Sequence, residues 1–181
     1  MKAAEKLITL KNGSTAILKS PCEEDAEELL HCIRTACGET EFLVRYPEEW
    51  DIGVEKEAEW IRRMLAAPDA LAISCYLDGR VVGNCDITFR SGIKTRHRAV
   101  VSIAILRECW SLGIGSAMFR ELIAAAKERG TEILELEFAE GNERAQRLYE
   151  KFGFRIVSEK PNALRLKNGR TLKEFYMQKY L

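Results

Sequence analysis

Two glycines, Gly113 and Gly115, stand where an apolar run gives way to a helical pattern. The run before them holds Val100, Val101, Ile103, Ala104, Ile105 and Leu106, and its β-branched content predicts a buried strand. After them, Ile114, Met118, Leu122 and Ala125 or Ala126 recur on one helical face, with Arg120, Glu121, Lys127 and Glu128 on the other. A strand, a glycine-bearing turn and a helix start together make a cradle for an anion. Glycine lets the backbone approach a ligand closely, and the first-turn N–H groups, from Leu112 to Ser116, have no helical partner. Aimed outward at the positive end of the helix dipole, such donors suit a phosphate.

Two common nucleotide sites are excluded. A dinucleotide fold needs GxGxxG after the first strand of the chain, and here Gly113-Ile114-Gly115 comes late and lacks the third glycine. A Walker loop needs Gly-Lys-Ser or Gly-Lys-Thr, and Gly115 is followed by Ser116-Ala117. Six cysteines (Cys22, Cys32, Cys37, Cys75, Cys85, Cys109) show no CxxC pair, and the only histidines are His31 and His97. That pattern predicts small buried thiols rather than a metal site or a disulfide framework.

The elements that must hold the cradle follow from the rest of the chain. Residues 7–10 and 15–18 flank Asn12-Gly13, a hairpin signal. An acidic turn, Glu23-Glu24-Asp25, opens a helix through Leu29, Leu30 and Ile33 that should stop near Gly38; acids there suit the helix dipole. Residues 39–53 carry Phe42, Tyr46, Pro47 and Trp50 without a clean period, as a packed loop or a wall of a substrate pocket. Helical spacing returns over 54–67, with Ala58, Ile61 and Met64 or Leu65 expected inside. Strands at 70–77 and 81–89 turn at Asp78-Gly79. Gly130 closes the central helix, 133–138 alternates as a strand, Asn142 caps a helix ending at Gly153, and strands begin near 154 and 172. This order predicts one mixed-sheet α/β domain over 1–181.

Composition limits the partners. Lys plus Arg and Asp plus Glu each number 28, so no net charge draws in nucleic acid or an anionic membrane. No apolar run approaches the ~20 residues a bilayer span needs, and the N-terminus shows no signal-peptide core, so a cytoplasmic chain is expected.

Two blocks carry a resemblance. Leu112-Gly113-Ile114-Gly115-Ser116-Ala117-Met118 is followed some 25 residues on by Asn142-Glu143-Arg144-Ala145-Gln146-Arg147-Leu148-Tyr149-Glu150-Lys151-Phe152-Gly153-Phe154. Together they resemble the GNAT superfamily of N-acetyltransferases, and the pattern NxxAxxLYxKxGF is the more specific of the two. The resemblance implies an α/β fold with a central, partly splayed mixed sheet flanked by helices. It implies acetyl-CoA as co-substrate, with no metal, lying between the strands at 100–106 and 133–138. Pyrophosphate would sit on the amides of Leu112, Gly113, Ile114, Gly115 and Ser116, with Trp110 and Ser111 just before them. Pantetheine would pair with the strand edge at Ile103, Ala104 and Ile105 and meet Asn142 and Ala145. Where the family usually has Arg or Gln, three residues before the first glycine, this chain has Trp110; a side-chain contact to phosphate is lost, and Arg107 stands nearby.

By the same resemblance Tyr149 is the general acid beside the leaving sulfur. The base is expected to be Glu137, with Asp86 and Glu140 as rivals. Cys109 as an acyl carrier would imply a ping-pong route; direct transfer to a primary amine is expected. A non-catalytic acyl-CoA sensor on the same fold is the alternative. The acids of the 39–53 loop, Glu39, Glu41, Glu48, Glu49 and Asp51, fit two readings equally: a cationic acceptor such as a polyamine, a drug or a peptide N-terminus, or a solvated loop. A monomer or a homodimer is expected, the dimer pairing through the terminal strand as a free edge.

Overall fold

The computed structural model describes all of residues 1–181. Eight strands form one sheet: β1 (Lys6–Thr9), β2 (Thr15–Lys19), β3 (Ala70–Leu77), β4 (Arg80–Phe89), β5 (Arg98–Ile105), β6 (Ile133–Ala139), β7 (Arg155–Arg165) and β8 (Thr171–Tyr180). Four helices join them: α1 (Ala26–Glu39), α2 (Val54–Ala66), α3 (Ile114–Glu128) and α4 (Glu143–Lys151). The sheet order is β1-β2-β3-β4-β5-β6-β8-β7. All neighbours run antiparallel except β5 and β6, which α3 links as a parallel crossover.

That parallel pair is short. Only Arg98, Ala99 and Val100 pair with Ile133, Leu134 and Glu135, and then the strands part. Each is committed elsewhere: β5 pairs with β4 from Ala99 to Ile105, and β6 with β8 from Ile133 to Ala139. A twisted sheet with both strands so held opens between them. The aromatic and aliphatic face of α4 fills part of the opening. Tyr149 packs 5.9 Å from the Phe138 ring of β6, and Leu148 reaches the start of α3.

Helices cover both faces. Ile33 and Cys37 of α1 and Trp60 of α2 line a cavity with Ser102 of β5, whereas Ile103 beside it reaches Gly115 of α3. The core centres on α3, where Met118, Phe119 and Leu122 are fully buried and Phe119 meets Tyr149, Phe152 and Phe154 at 5.4 to 5.8 Å. Five of the six cysteines are buried and all are free.

Three expectations change. The strand begun near residue 154 runs on to Arg165, past a register irregularity at Lys160 to Leu164 that holds Pro161 and Asn162. β8 lies between β6 and β7, hydrogen-bonded on both sides, so the terminal strand offers no free edge; the sheet edges are β1 and β7. On α2 the two buried residues are Ile61 and, four positions earlier, Glu57; Met64 and Leu65 are only half-buried. No helix is long and apolar enough to cross a membrane.

Candidate active site

The cradle is built by a left-handed turn. Ser111 and Gly113 have φ of 65° and 98°, and these two residues reverse the chain from β5 into α3. The Leu112 carbonyl accepts from the Lys11 amide at 3.0 Å, which fixes the turn to the β1–β2 hairpin. No amide from Leu112 to Ser116 donates to a backbone carbonyl; the first cap bond runs from Ala117 to Gly113. Gly115 serves packing. A Cβ there would stand 2.9 Å from Leu148 Cδ2 and 3.4 Å from Ile105 Cδ1, so its absence lets α3 press on α4 and β5.

The opened strand edge comes next. Leu106 donates to Val82 and Arg90 to Arg98, which sets the even-numbered residues of β5 toward β4. The N–H and C=O groups of Val101, Ile103 and Ile105 therefore face the side from which β6 has parted. The Ile105 carbonyl accepts from Trp110 Nε1 at 2.8 Å. Ile103, past the end of the β5–β6 pairing, keeps a donor and an acceptor available to a ligand.

A narrow slot of about 120 Å³ runs along this edge, lined by Ile103, Ala104, Ile105, Trp110, Asn142, Ala145 and Tyr149 together with Arg144 and Leu148. Seven of the predicted cofactor residues are thus brought together, and Leu112 to Ser116 form the adjoining turn. Asn142 caps α4, its Oδ1 accepting from the Ala145 amide at 3.2 Å. Tyr149 is buried, and burial alone raises its pKa above the ordinary tyrosine value. Trp110 packs against two guanidinium groups, Arg144 at 4.4 Å and Arg107 at 5.5 Å from the ring centroid. Arg144 also donates to Ser111 Oγ at 2.7 Å, and Lys151 to Ser116 Oγ at 3.2 Å. In a chain of zero net charge, the turn is locally basic.

On the other side of Ile103 and Ala104 lies a cavity of about 600 Å³. Its apolar walls include Ile33, Leu43, Ile52 and Trp60, and its polar lining includes Asn84, Asp86, Ser102 and Glu57. The two spaces share Leu43, Ile103 and Ala104, so they meet at the opened edge. Asp86 accepts from Ser102 Oγ, while burial raises its pKa above the usual carboxylate value. Glu137 is the predicted residue set apart. It shares the sheet face of Asp86, but its carboxylate is exposed, pairs with Lys160 of β7, and lines neither space. Glu140 is exposed beyond β6 and accepts from the Lys173 amide at 3.3 Å. Cys109 is buried, lines neither space, and its thiol pKa is raised by burial.

The sequence profile of the Acetyltransferase (GNAT) family matches residues 36–154, two thirds of this chain. The chain belongs to that family. This GNAT chain is 29% identical over 120 residues to L-amino acid N-acetyltransferase AaaT of Escherichia coli, covering 65% of this chain and 73% of that one. Among solved structures, a GNAT-family acetyltransferase from Streptococcus pneumoniae superposes with a TM-score of 0.85 at 23% identity, over 92% of this chain and 99% of that one. Another similar structure is yncA from Salmonella typhimurium, solved with its cofactor acetyl-CoA; its TM-score is 0.77 at 20% identity, over 93% and 95% of the two chains.

Several site residues of this GNAT chain escaped sequence reasoning. Arg144 and Lys151 lie inside the second block but on its polar side, where charge normally means a solvated face. Glu57 had a signal: it stands one helical turn before Ile61, on the side of α2 that spacing buries. The 39–53 loop proves to be a cavity wall, contributing Leu43, Val44, Arg45, Trp50 and Ile52. Four of its five acids are spent on structure: Glu39 accepts from the Arg107 amide, Glu41 pairs with Arg170, Glu48 with Lys167, and Glu49 accepts from the Tyr46 amide, while Asp51 is exposed.

Proposed function

We propose that this protein transfers the acetyl group of acetyl-CoA directly to a primary amine of a small molecule. The observation that carries the reading is the meeting of the narrow slot and the larger cavity at Ile103 and Ala104. Acetyl-CoA would lay its diphosphate on the amides from Leu112 to Ser116, near Arg144 and Lys151, and its pantetheine amides along Ile103. The Ile103 N–H would donate to the thioester carbonyl oxygen as charge develops there. The amine would approach from the larger cavity, so both reactants converge without crossing the sheet.

Two protons must leave the acceptor nitrogen. Asp86, beside Ser102 and lining the acceptor cavity, is placed to take the first from the ammonium group. Nitrogen then bonds to the carbonyl carbon and the carbon–sulfur bond breaks. Tyr149 donates its hydroxyl proton to the departing sulfur and regains one from the acylated nitrogen. The position of Asp86 supports it over Glu137 as the base, and the burial of Cys109 away from both spaces supports direct transfer. Mixing the protein with acetyl-CoA and a panel of amines, L-amino acids included, and following free thiol tests the reading. Amine-dependent thiol release is expected. Tight acetyl-CoA binding with no release for any amine would leave an acyl-CoA sensor instead.

A further inference from the structure

We infer that Glu57 determines acceptor specificity and that the acceptor carries a second cationic group, as a diamine does. The inference rests on the transferase reading above, whose cavity Glu57 lines. Glu57 is 2% exposed, and its carboxylate makes no hydrogen bond or ion pair within the protein. A buried carboxylate without a partner is costly, and folding normally removes such groups or pairs them. Here the cavity lets a ligand do the pairing.

The charges around it select the ligand. The polar lining holds two acids away from solvent, the buried Glu57 and the half-buried Asp86, and neither is in an ion pair with an arginine. Both arginines of the cavity, Arg45 and Arg63, belong to exposed positions, and Arg45 lies over the Trp50 ring at 4.7 Å. The Trp50 indole nitrogen is buried against the Cys37 thiol and brings no charge. Asn84 accepts from Ser74 through Oδ1, which leaves its amide hydrogens as neutral donors on the cavity wall. One ammonium group belongs beside Asp86, next to Ile103, where transfer occurs. A second, held by Glu57 from α2, neutralises the remaining acid, and the apolar walls suit the methylenes between them.

The test compares diaminoalkanes from propane to hexane with the n-alkylamines of matching length, as kcat/KM with saturating acetyl-CoA. Wild-type protein should prefer the diamine of a matched pair. In Glu57→Gln that preference should fall about 30-fold or more, because one side of a buried charge pair is gone. Glu57→Asp keeps the charge on a shorter stem, so it should retain the preference and move the optimum to the next longer homologue. A purely structural role would not move that optimum. Equal use of diamines and monoamines by wild type, or a preference unchanged in Glu57→Gln, overturns the inference and leaves the transferase reading standing. Calorimetry with the diamine in the presence of coenzyme A separates the other failure. Glu57-dependent binding without any thiol release would keep Glu57 as a diamine-binding group and refute the transferase; neither binding nor release would refute both.

Discussion

Replacing Tyr149 by Phe removes one oxygen and leaves the ring. The ring makes most of the packing contacts: its centroid lies 5.4 Å from Phe119, 5.9 Å from Phe138 and 6.2 Å from Phe154. The hydroxyl contributes no such anchor, since only burial perturbs it. Its loss forfeits no protein hydrogen bond, so the change in stability should stay below about 1 kcal/mol. Catalysis should respond differently. A positioned general acid contributes about 10²–10⁴-fold, so kcat for thiol release should fall by that factor while the KM for acetyl-CoA changes little. Because burial raises the Tyr149 pKa, the hydroxyl holds its proton through the neutral and mildly alkaline range. Wild-type kcat should therefore show no loss from Tyr149 ionisation there. Steady-state kinetics and a thermal melt on the same preparation separate the two effects. A Tyr149→Phe protein that melts normally and turns over within about threefold of wild type would refute the assignment of Tyr149 as the acid.

Other substitutions probe the remaining parts. Asp86→Asn should lower kcat and abolish its rise with pH: burial holds Asp86 protonated to a higher pH than an ordinary carboxylate, so the base switches on as pH climbs through that raised value. Glu137→Gln breaks only an exposed pair with Lys160 and should change kcat less than about threefold; a loss as large as that of Asp86→Asn would return the base to β6. Gly115→Ala places a methyl 2.9 Å from Leu148 and should cost about 1–3 kcal/mol, with a raised KM for acetyl-CoA as α3 moves off the slot; an unchanged KM would contradict the packing role. Glu57 has a folded pKa raised above its unfolded value, so its contribution to stability is present at low pH and lost as pH rises through the raised value. Glu57→Gln should therefore raise the melting temperature more at about pH 8 than at about pH 5.

Much of this was legible in the residues. The apolar period placed α3 and its flanking strands within two residues, because a buried strand and an amphipathic helix leave unmistakable spacings. The Asn142 cap and the turn at Gly113 were equally local, each depending on the conformation of a few residues. What the sequence concealed was set at a distance. The pairing of β8 between β6 and β7 depends on strand contacts that no single period encodes. Glu57 and Asp86 became neighbours of one cavity only when α2 packed over the sheet. The loop acids looked like ligands for a cation because their partners, Arg170 and Lys167, lie more than a hundred residues further on. Trp110 departs from the usual residue of its motif, yet the fold uses it locally, as a donor to the Ile105 carbonyl and a platform for Arg144.

Backbone amide exchange, followed residue by residue with and without acetyl-CoA, tests the central claim most directly. If the thioester lies along the parted edge of β5 with its diphosphate on the turn, protection should rise at Ile103 and from Leu112 to Ser116. The amides of Leu106 and Arg90, already bonded across β4 and β5, should stay as they were. Binding that left Ile103 and the turn unprotected would contradict the account.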